Sequence, residues 1–232
     1  MRKIEKSPNV PATLVSAPVP TSAAQVNSKI YRADDVCAQL LADQHNKCCY
    51  CECSLTKRFN DVEHYRYKGH YYWLGHNWDN LLYSCDLCNR VYKNVGFPLA
   101  RGSVKASSPA DDLSLEHPLI INPAHVDPAT HIRFRRYEAV HKTPEGKATI
   151  EMFDLNNRNG GREELLENRK QLYEEYVEIK KQILLAQKLL SLPDTSQEVR
   201  NIANEMLISC NRSMELKTSP STPHSGMLIT QI

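Results

Sequence analysis

The sequence predicts an α+β, helix-rich protein whose small core is stapled by a bound zinc ion. Cysteine, histidine and aromatic residues are concentrated between residues 48 and 99. The stretch 162–190 contains no Gly or Pro, and its apolar residues follow a helical stripe. Short strand-like runs lie between these two regions. A length of 232 residues suits one ordinary domain, or a small core with an appendage.

Changes in composition along the chain predict four segments. In order, they are an extended N-terminal arm, a zinc-stapled core, an α+β/helical C-terminal part and a flexible tail, at residues 1–30, 31–105, 106–212 and 213–232. A short helix over 33–46 delivers the chain to the first cysteine cluster.

The C-terminal half is predicted to contain short strands followed by two helices. The runs 132–134 and 148–153 resemble strands, and the turn residues Pro144-Glu145-Gly146-Lys147 favour a hairpin between them. The helix over 162–190 would be about 40 Å long at the standard rise per residue. A second helix is expected from about residue 195 to 209.

The amino-acid composition says more about where the protein is located than about its substrate. No apolar run approaches the roughly 18 residues that span a membrane, and prolines interrupt the apolar N-terminal stretch where a signal peptide would need continuity. We therefore predict a cytoplasmic protein with no membrane contact. The net charge of +2 is nearly balanced, so attraction to nucleic acid would have to come from a local basic patch or a partner.

The cysteine spacing is the most specific signal in the chain. Cys48-Cys49-Tyr50-Cys51 and Cys85-Asp86-Leu87-Cys88 each contain a C-x-x-C knuckle. Two such knuckles complete the tetrahedral four-thiolate site that Zn²⁺ adopts in structural roles. We therefore predict Cys48, Cys51, Cys85 and Cys88 as zinc ligands. Cys49 and Cys53 are weaker candidates, and a redox pair would not need a second copy.

The segment looped out between the knuckles carries three further motifs: Asp61-Val62-Glu63-His64-Tyr65-Arg66, Trp78-Asp79-Asn80-Leu81-Leu82 and Cys88-Asn89-Arg90. Their order resembles the signature of the HNH endonuclease family. That resemblance covers residues 48–99 and implies the ββα-metal fold, two strands and a helix around one metal ion. It also implies hydrolysis of phosphodiester bonds in nucleic acid, with DNA as the expected substrate.

The resemblance implies a role for each matching residue. His64 would be the general base that takes a proton from water, since a neutral imidazole suits that task. Glu63 and Asn89 would hold a catalytic Mg²⁺ or Mn²⁺ ion through oxygen atoms. Asn80 would hold the loop of His64 through its amide. Glu63 stands where Asp is usual, which leaves open whether it binds the metal directly or through water.

Four basic residues flank the predicted site and are candidates for holding the phosphate backbone. They are Arg66, Lys68, Arg90 and Lys93. A solvated basic rim is the competing interpretation of these residues. The competing interpretation of the whole segment is a non-catalytic zinc-binding module that interacts with nucleic acid or protein.

More distant motifs narrow the resemblance. Phe97-Pro98-Leu99, the run 118–123 and Leu155-Asn156-Asn157-Arg158 are similar to the HNH nuclease subunit (PtuB-like) of Septu anti-phage systems, which is also found with some retrons. That family implies an ABC/SMC-like (PtuA-like) ATPase as partner. The helix over 162–190 is a plausible docking element. An intramolecular role for it, covering the strands, is equally compatible with its pattern.

Overall fold

The computed structural model describes residues 1–55 and 60–231, and confirms a mixed architecture of helices and small sheets. The helices are α1 (Ala12–Val15), α2 (Ser28–Tyr31), α3 (Asp34–Asp43), a π-helix (Leu87–Lys93), α4 (Pro144–Met152), α5 (Glu163–Ser191), α6 (Gln197–Thr218) and α7 (Ser225–Ile229). The strands are β1 (Asn60–His64), β2 (Leu81–Cys85), β3 (Ile132–Arg135) and β4 (Glu138–His141).

Strands β1 and β2 form an antiparallel pair, and the π-helix follows β2 after a single residue. This is the strand–strand–helix order that the sequence predicts. In the pair, Glu63 lies opposite Leu82 and His64 lies opposite Leu81. Because side chains alternate along a strand, Glu63 and His64 point to opposite faces of the pair. Asn94 follows the π-helix as its C-cap, and its N–H donates to the carbonyl of Asn89 at 2.7 Å.

The second hairpin differs from its prediction. Strands β3 and β4 pair with each other, whereas the predicted strand over 148–153 lies in or just after α4. Thr143 caps α4 by accepting from the N–H of Gly146, and Pro144 occupies its first turn. A threonine cap followed by proline is a helix start rather than a turn, so this part of the prediction is wrong.

Helices α5 and α6 form a long antiparallel hairpin. The Lys217 ammonium pairs with Glu175, and the Cys210 thiol donates to Gln182 at 3.4 Å. Helix α6 runs to Thr218, well beyond the predicted end near residue 209. No helix in the described parts of the chain has the length and apolar character that a membrane crossing requires.

The two chain ends lie against the body of the protein, unlike the extended arm and flexible tail expected from composition. Met1, Ile4, Met227 and Leu228 are buried in the main hydrophobic core. The same core takes residues from all four predicted segments, so the packing crosses each predicted boundary. The composition of the two ends predicts irregular structure, but it does not predict which residues the ends contact.

Candidate active site and metal centre

The turn after α3 and the end of β2 bring cysteines together. The sulfur atoms of Cys48, Cys51, Cys53 and Cys85 all lie within 4.8 Å of one another, a group that could hold a metal ion. Three of these are predicted ligands, whereas Cys53 was ranked below Cys88. Cys88 is fully buried against the same group, and its sulfur accepts a hydrogen bond from the Arg162 guanidinium at 3.1 Å.

The positive charges of two buried guanidiniums bear on whether the cysteine group fits a zinc ion. Arg162 and Arg169 are 3% and 1% exposed, and buried charges require compensation. A Zn²⁺ ion with four thiolates carries two negative charges, which match two guanidiniums. Although burial lowers it, the pKa of Arg162 is raised overall by the thiols of Cys88 and Cys51. The buried Nε of Arg162 has no hydrogen-bond partner. The residues present therefore fit a zinc–thiolate cluster.

His64 ends β1 with its imidazole inside the protein. Its Nε2 lies 3.0 Å from the carbonyl oxygen of Gly75, and its ring meets Tyr31 edge-on at 4.6 Å between centroids. Burial lowers the pKa of His64 to about 3, so the ring is neutral near pH 7. Since a carbonyl only accepts, Nε2 must carry the proton and Nδ1 the lone pair. This is the tautomer in which Nδ1 can accept a proton.

Asn80 ties down the chain that follows His64. Its side-chain oxygen accepts from the N–H of Arg66 at 2.8 Å, and its amide nitrogen donates to the carbonyl of Arg66 at 3.0 Å and that of Leu74 at 3.3 Å. An amide is the side chain that can donate and accept at once. The contacts connect the end of β1 to the segment that supplies Gly75.

Glu63 forms a buried ion pair with Lys93. Its carboxylate lies 2.6 Å from the ammonium of Lys93, and both side chains are almost fully buried. The hydroxyl of Tyr50 also donates to Glu63 at 3.3 Å, and Lys93 donates to the carbonyl of His64 at 2.9 Å. Burial raises the pKa of Glu63, although Lys93 and Tyr50 act in the opposite direction. Lys93, predicted to hold phosphate, is therefore inside the protein, where phosphate does not reach it.

The side chain of Asn89 interacts with the carboxylate of Asp61 and helps to lower its pKa. Asp61 also accepts from Arg90 at 2.6 and 2.9 Å, and pairs with Arg32. The hydrogen bonds and charge of Arg90 hold the pKa of Asp61 below its usual range. In this arrangement Glu63 and Asn89 are therefore engaged with different partners, Lys93 and Asp61.

The other predicted phosphate contacts differ in accessibility. The side chain of Arg66 is 16% exposed and pairs with Glu116 at 2.7 Å. Lys68 lies over the ring of Tyr31, 4.3 Å from its centroid. Arg90 is the most accessible of the predicted set, with 64% of its side chain exposed.

Comparison with known proteins decides the family. No family model matches the chain. The chain is 30% identical over 226 residues to Septu protein PtuB of Bacillus mycoides (strain KBAB4), an alignment that covers 86% of this chain and 74% of that protein. The chain belongs to the PtuB family. It is also 32% identical over 155 residues to Septu protein PtuB of Bacillus thuringiensis, covering 65% of this chain and 53% of that protein. The resemblance to Septu anti-phage defence proteins is thus confirmed.

In this member of the PtuB family, three residues at the site were not predicted from the sequence. Asp61 and Arg32 meet at the outer side of β1, and Arg162 joins the cysteine group from the start of α5. Asp61 was visible as an acidic residue two positions before Glu63, which places it on the same strand face. Nothing in the sequence pattern separates Arg162 from the other basic residues near α5.

Proposed function

We propose that the chain is a metal-dependent HNH endonuclease that hydrolyses phosphodiester bonds of nucleic acid, with DNA as the expected substrate, in a Septu anti-phage defence complex. The observation that supports it best is the orientation of the His64 imidazole, whose Nε2 is bound to the carbonyl of Gly75 at 3.0 Å, so that Nδ1 carries the lone pair. This fixes the tautomer that a general base needs before substrate arrives.

His64 would take the proton from the attacking water at Nδ1. The bond from Nε2 to Gly75 keeps the ring oriented and favours the positive charge that forms on it. Asn80 holds the following residue from both its N–H and its carbonyl, so the strand end cannot easily shift away from the phosphate. Orientation of this kind supplies a large share of the rate in hydrolytic enzymes.

The phosphate backbone would be held by the exposed guanidiniums around Asp61. The side chains of Arg90 and Arg32 are 64% and 45% exposed, and both are paired with the same carboxylate, whose side chain is 7% exposed. A phosphate can form the same forked contacts with a guanidinium that a carboxylate forms. Arg90 also lies one residue from Asn89 on the π-helix, on the strand face that carries Asp61 and Glu63.

We infer that cleavage requires Mg²⁺ or Mn²⁺, as the family signature implies. When bound, such an ion would neutralise charge on the scissile phosphate and the leaving oxygen. Glu63 is paired with Lys93, so an ion bound at Glu63 would have to displace that ammonium.

We also infer an ABC/SMC-like ATPase as the partner, and a zinc ion as the structural staple at the cysteine group. The hairpin of α5 and α6 is the surface that would meet the partner. It exposes apolar side chains to the extent of 64% at Leu184, 58% at Ile202 and 71% at Ile208. A contiguous apolar patch on a helical surface marks a docking site, and these side chains are the candidates for one here.

A second candidate function has an observation in its favour. Lys93 occupies the Glu63 carboxylate that a catalytic ion would bind, as expected for a non-catalytic zinc module. The two candidates share the zinc site and differ in what His64 does.

The discriminating experiment is plasmid cleavage by the full chain with its ATPase, in Mg²⁺ or Mn²⁺ and then in EDTA. His64→Ala should abolish cutting, and His64→Gln, which retains a donor for Gly75, should do so with less loss of stability. His117→Ala is the control because His117 is exposed and distant in sequence from the motif. Zinc content and melting must stay near those of the unmodified chain. Cutting by His64→Gln at the unmodified rate would refute His64 as the general base, and the absence of metal-dependent cutting by the unmodified chain with its partner would favour the zinc module.

A further inference from the structure

The cysteine group contains one thiol more than a zinc ion accepts. Cys48, Cys51 and Cys85 lie with Cys53 inside one 4.8 Å group. The same three thiols also contact Cys88. Zinc in structural sites binds four ligands in a tetrahedron. Three thiols are therefore common to two possible ligand sets, which differ in whether Cys53 or Cys88 completes them.

The backbone shows that Cys53 is built into the group. Glu52 has a left-handed conformation with φ of 60°, which is uncommon for a residue other than glycine. This turns the chain back, so that the N–H of Cys48 donates to the carbonyl of Cys53 at 3.0 Å. The Glu52 carboxylate is held by the ammonium of Lys47 at 3.0 Å. Unfavourable backbone conformations persist where surrounding contacts fix them, often at functional sites.

The two competing thiols have different surroundings. Cys88 is fully buried and its sulfur accepts from Arg162, which stabilises a thiolate whether or not metal is bound to it. Cys53 is half-buried and lines a cavity of about 200 Å³ whose lining also includes the buried Cys51 and Cys85. One candidate ligand is therefore kept charged inside the protein, and the other stands at an opening.

We propose that the zinc site has five thiol ligands for four positions, with Cys48, Cys51 and Cys85 constant and Cys53 and Cys88 alternating in the fourth. In the exchange, the bond from zinc to the Cys88 sulfur breaks as the bond to the Cys53 sulfur forms. The Cys53 proton leaves to water in the cavity, and the released Cys88 thiolate is neutralised by Arg162. The arrangement gives zinc a route in and out through the cavity, and it holds whether or not the chain cuts nucleic acid.

The first test measures zinc content and affinity in the full chain, by chelator competition, for Cys53→Ser, Cys88→Ser and the double variant. Each single variant should keep one zinc per chain because the other thiol completes the set. The double variant should bind zinc more weakly by more than the roughly 10–100-fold that loss of an outer-shell contact costs. Cys37→Ser is the matched control, since Cys37 is half-buried outside the group. Loss of zinc from either single variant as complete as from Cys48→Ser would overturn the proposal.

The second test needs no substitution, so it stands even if Cys88→Ser fails to fold. In the zinc-loaded chain with ¹³C-labelled cysteine, the Cβ resonances of Cys48, Cys51 and Cys85 should take the metal-bound position. Those of Cys53 and Cys88 should lie between the bound and unbound positions, or each give two signals. Cys37 supplies the unbound reference. A Cys53 resonance at the unbound position would overturn the proposal, because it would show that Cys53 is never a ligand.

Discussion

Replacing Lys93 with Met removes the ammonium that neutralises Glu63 while keeping a side chain of similar length. The two charged groups are 2.6 Å apart, and their side chains are 1% and 2% exposed. At an effective dielectric constant of about 20, the attraction at that distance is about 6 kcal/mol before the cost of desolvation. Breaking a buried pair by removing one partner usually costs about 3–5 kcal/mol. We expect Lys93→Met to lower the free energy of unfolding by that amount.

The stability of the Lys93→Met variant should change with pH in a defined direction. Without Lys93, the pKa of Glu63 should rise further above its ordinary value, because burial already raises it. The folded state then binds a proton that the unfolded state releases, so stability is lost as pH rises through the folded-state pKa. Lys93→Met should therefore be least stable at pH 8 and should recover part of its loss on acidification to pH 6.

Urea unfolding of the zinc-loaded chain, followed by circular dichroism, measures both effects. Glu63→Gln and the double variant complete a cycle, in which the double variant should lose less than the sum of the single losses. A loss below about 0.5 kcal/mol for Lys93→Met, within the range of ordinary surface changes, would refute the view that this pair is a buried, structural contact.

Three further predictions concern the same site. Burial lowers the pKa of His64 to about 3, whereas the value in the unfolded chain is near 6.5. The contribution of His64 to stability should therefore be full above pH 6.5 and fall by about 2 kcal/mol by pH 5. His64→Gln should remove that part of the pH dependence in urea titrations. Asn80→Asp should destabilise the chain at least as much as Asn80→Ala, by about 1–3 kcal/mol, because it sets a charged acceptor against the carbonyls of Arg66 and Leu74; equal melting of Asn80→Asp and the unmodified chain would contradict this. Arg90→Ala should leave melting nearly unchanged and weaken nucleic-acid binding, reducing the slope of log affinity against log salt by about one; an unchanged slope would remove Arg90 from the phosphate contacts.

Local patterns in the sequence were sufficient to predict the centre of this fold. The spacing of Cys48 and Cys51 from Cys85 predicted that three thiols would meet, and they do. The long stretch without Gly or Pro predicted α5 to within one residue at each end. Both signals depend on residues close together in the chain or on one repeated period, which is why they can be read without a structure.

The remaining features depend on contacts between distant residues. Whether Cys53 or Cys88 stands nearer the common thiols depends on the left-handed turn at Glu52, and that conformation has no signature in a non-glycine residue. The burial of Lys93 depends on the π-helix lying over β1, since the same lysine on a regular surface helix would be exposed. Even the error at α4 had a local signal, the cap at Thr143, which the strand-like composition outweighed.

The positions of Lys93 and Asn80 together explain how a strand end can carry an oriented base. Strand alternation sends Glu63 and His64 to opposite faces, so no single contact can fix both. Lys93 spans this division by binding the Glu63 carboxylate and the His64 carbonyl at once. Asn80 fixes Arg66 two residues on, and the carbonyl of Gly75 fixes the ring itself. The backbone on either side of His64 is therefore held by side chains from two different elements. In this arrangement the buried ion pair positions the base, and an ion that displaced Lys93 from Glu63 would also release one of the contacts that hold His64.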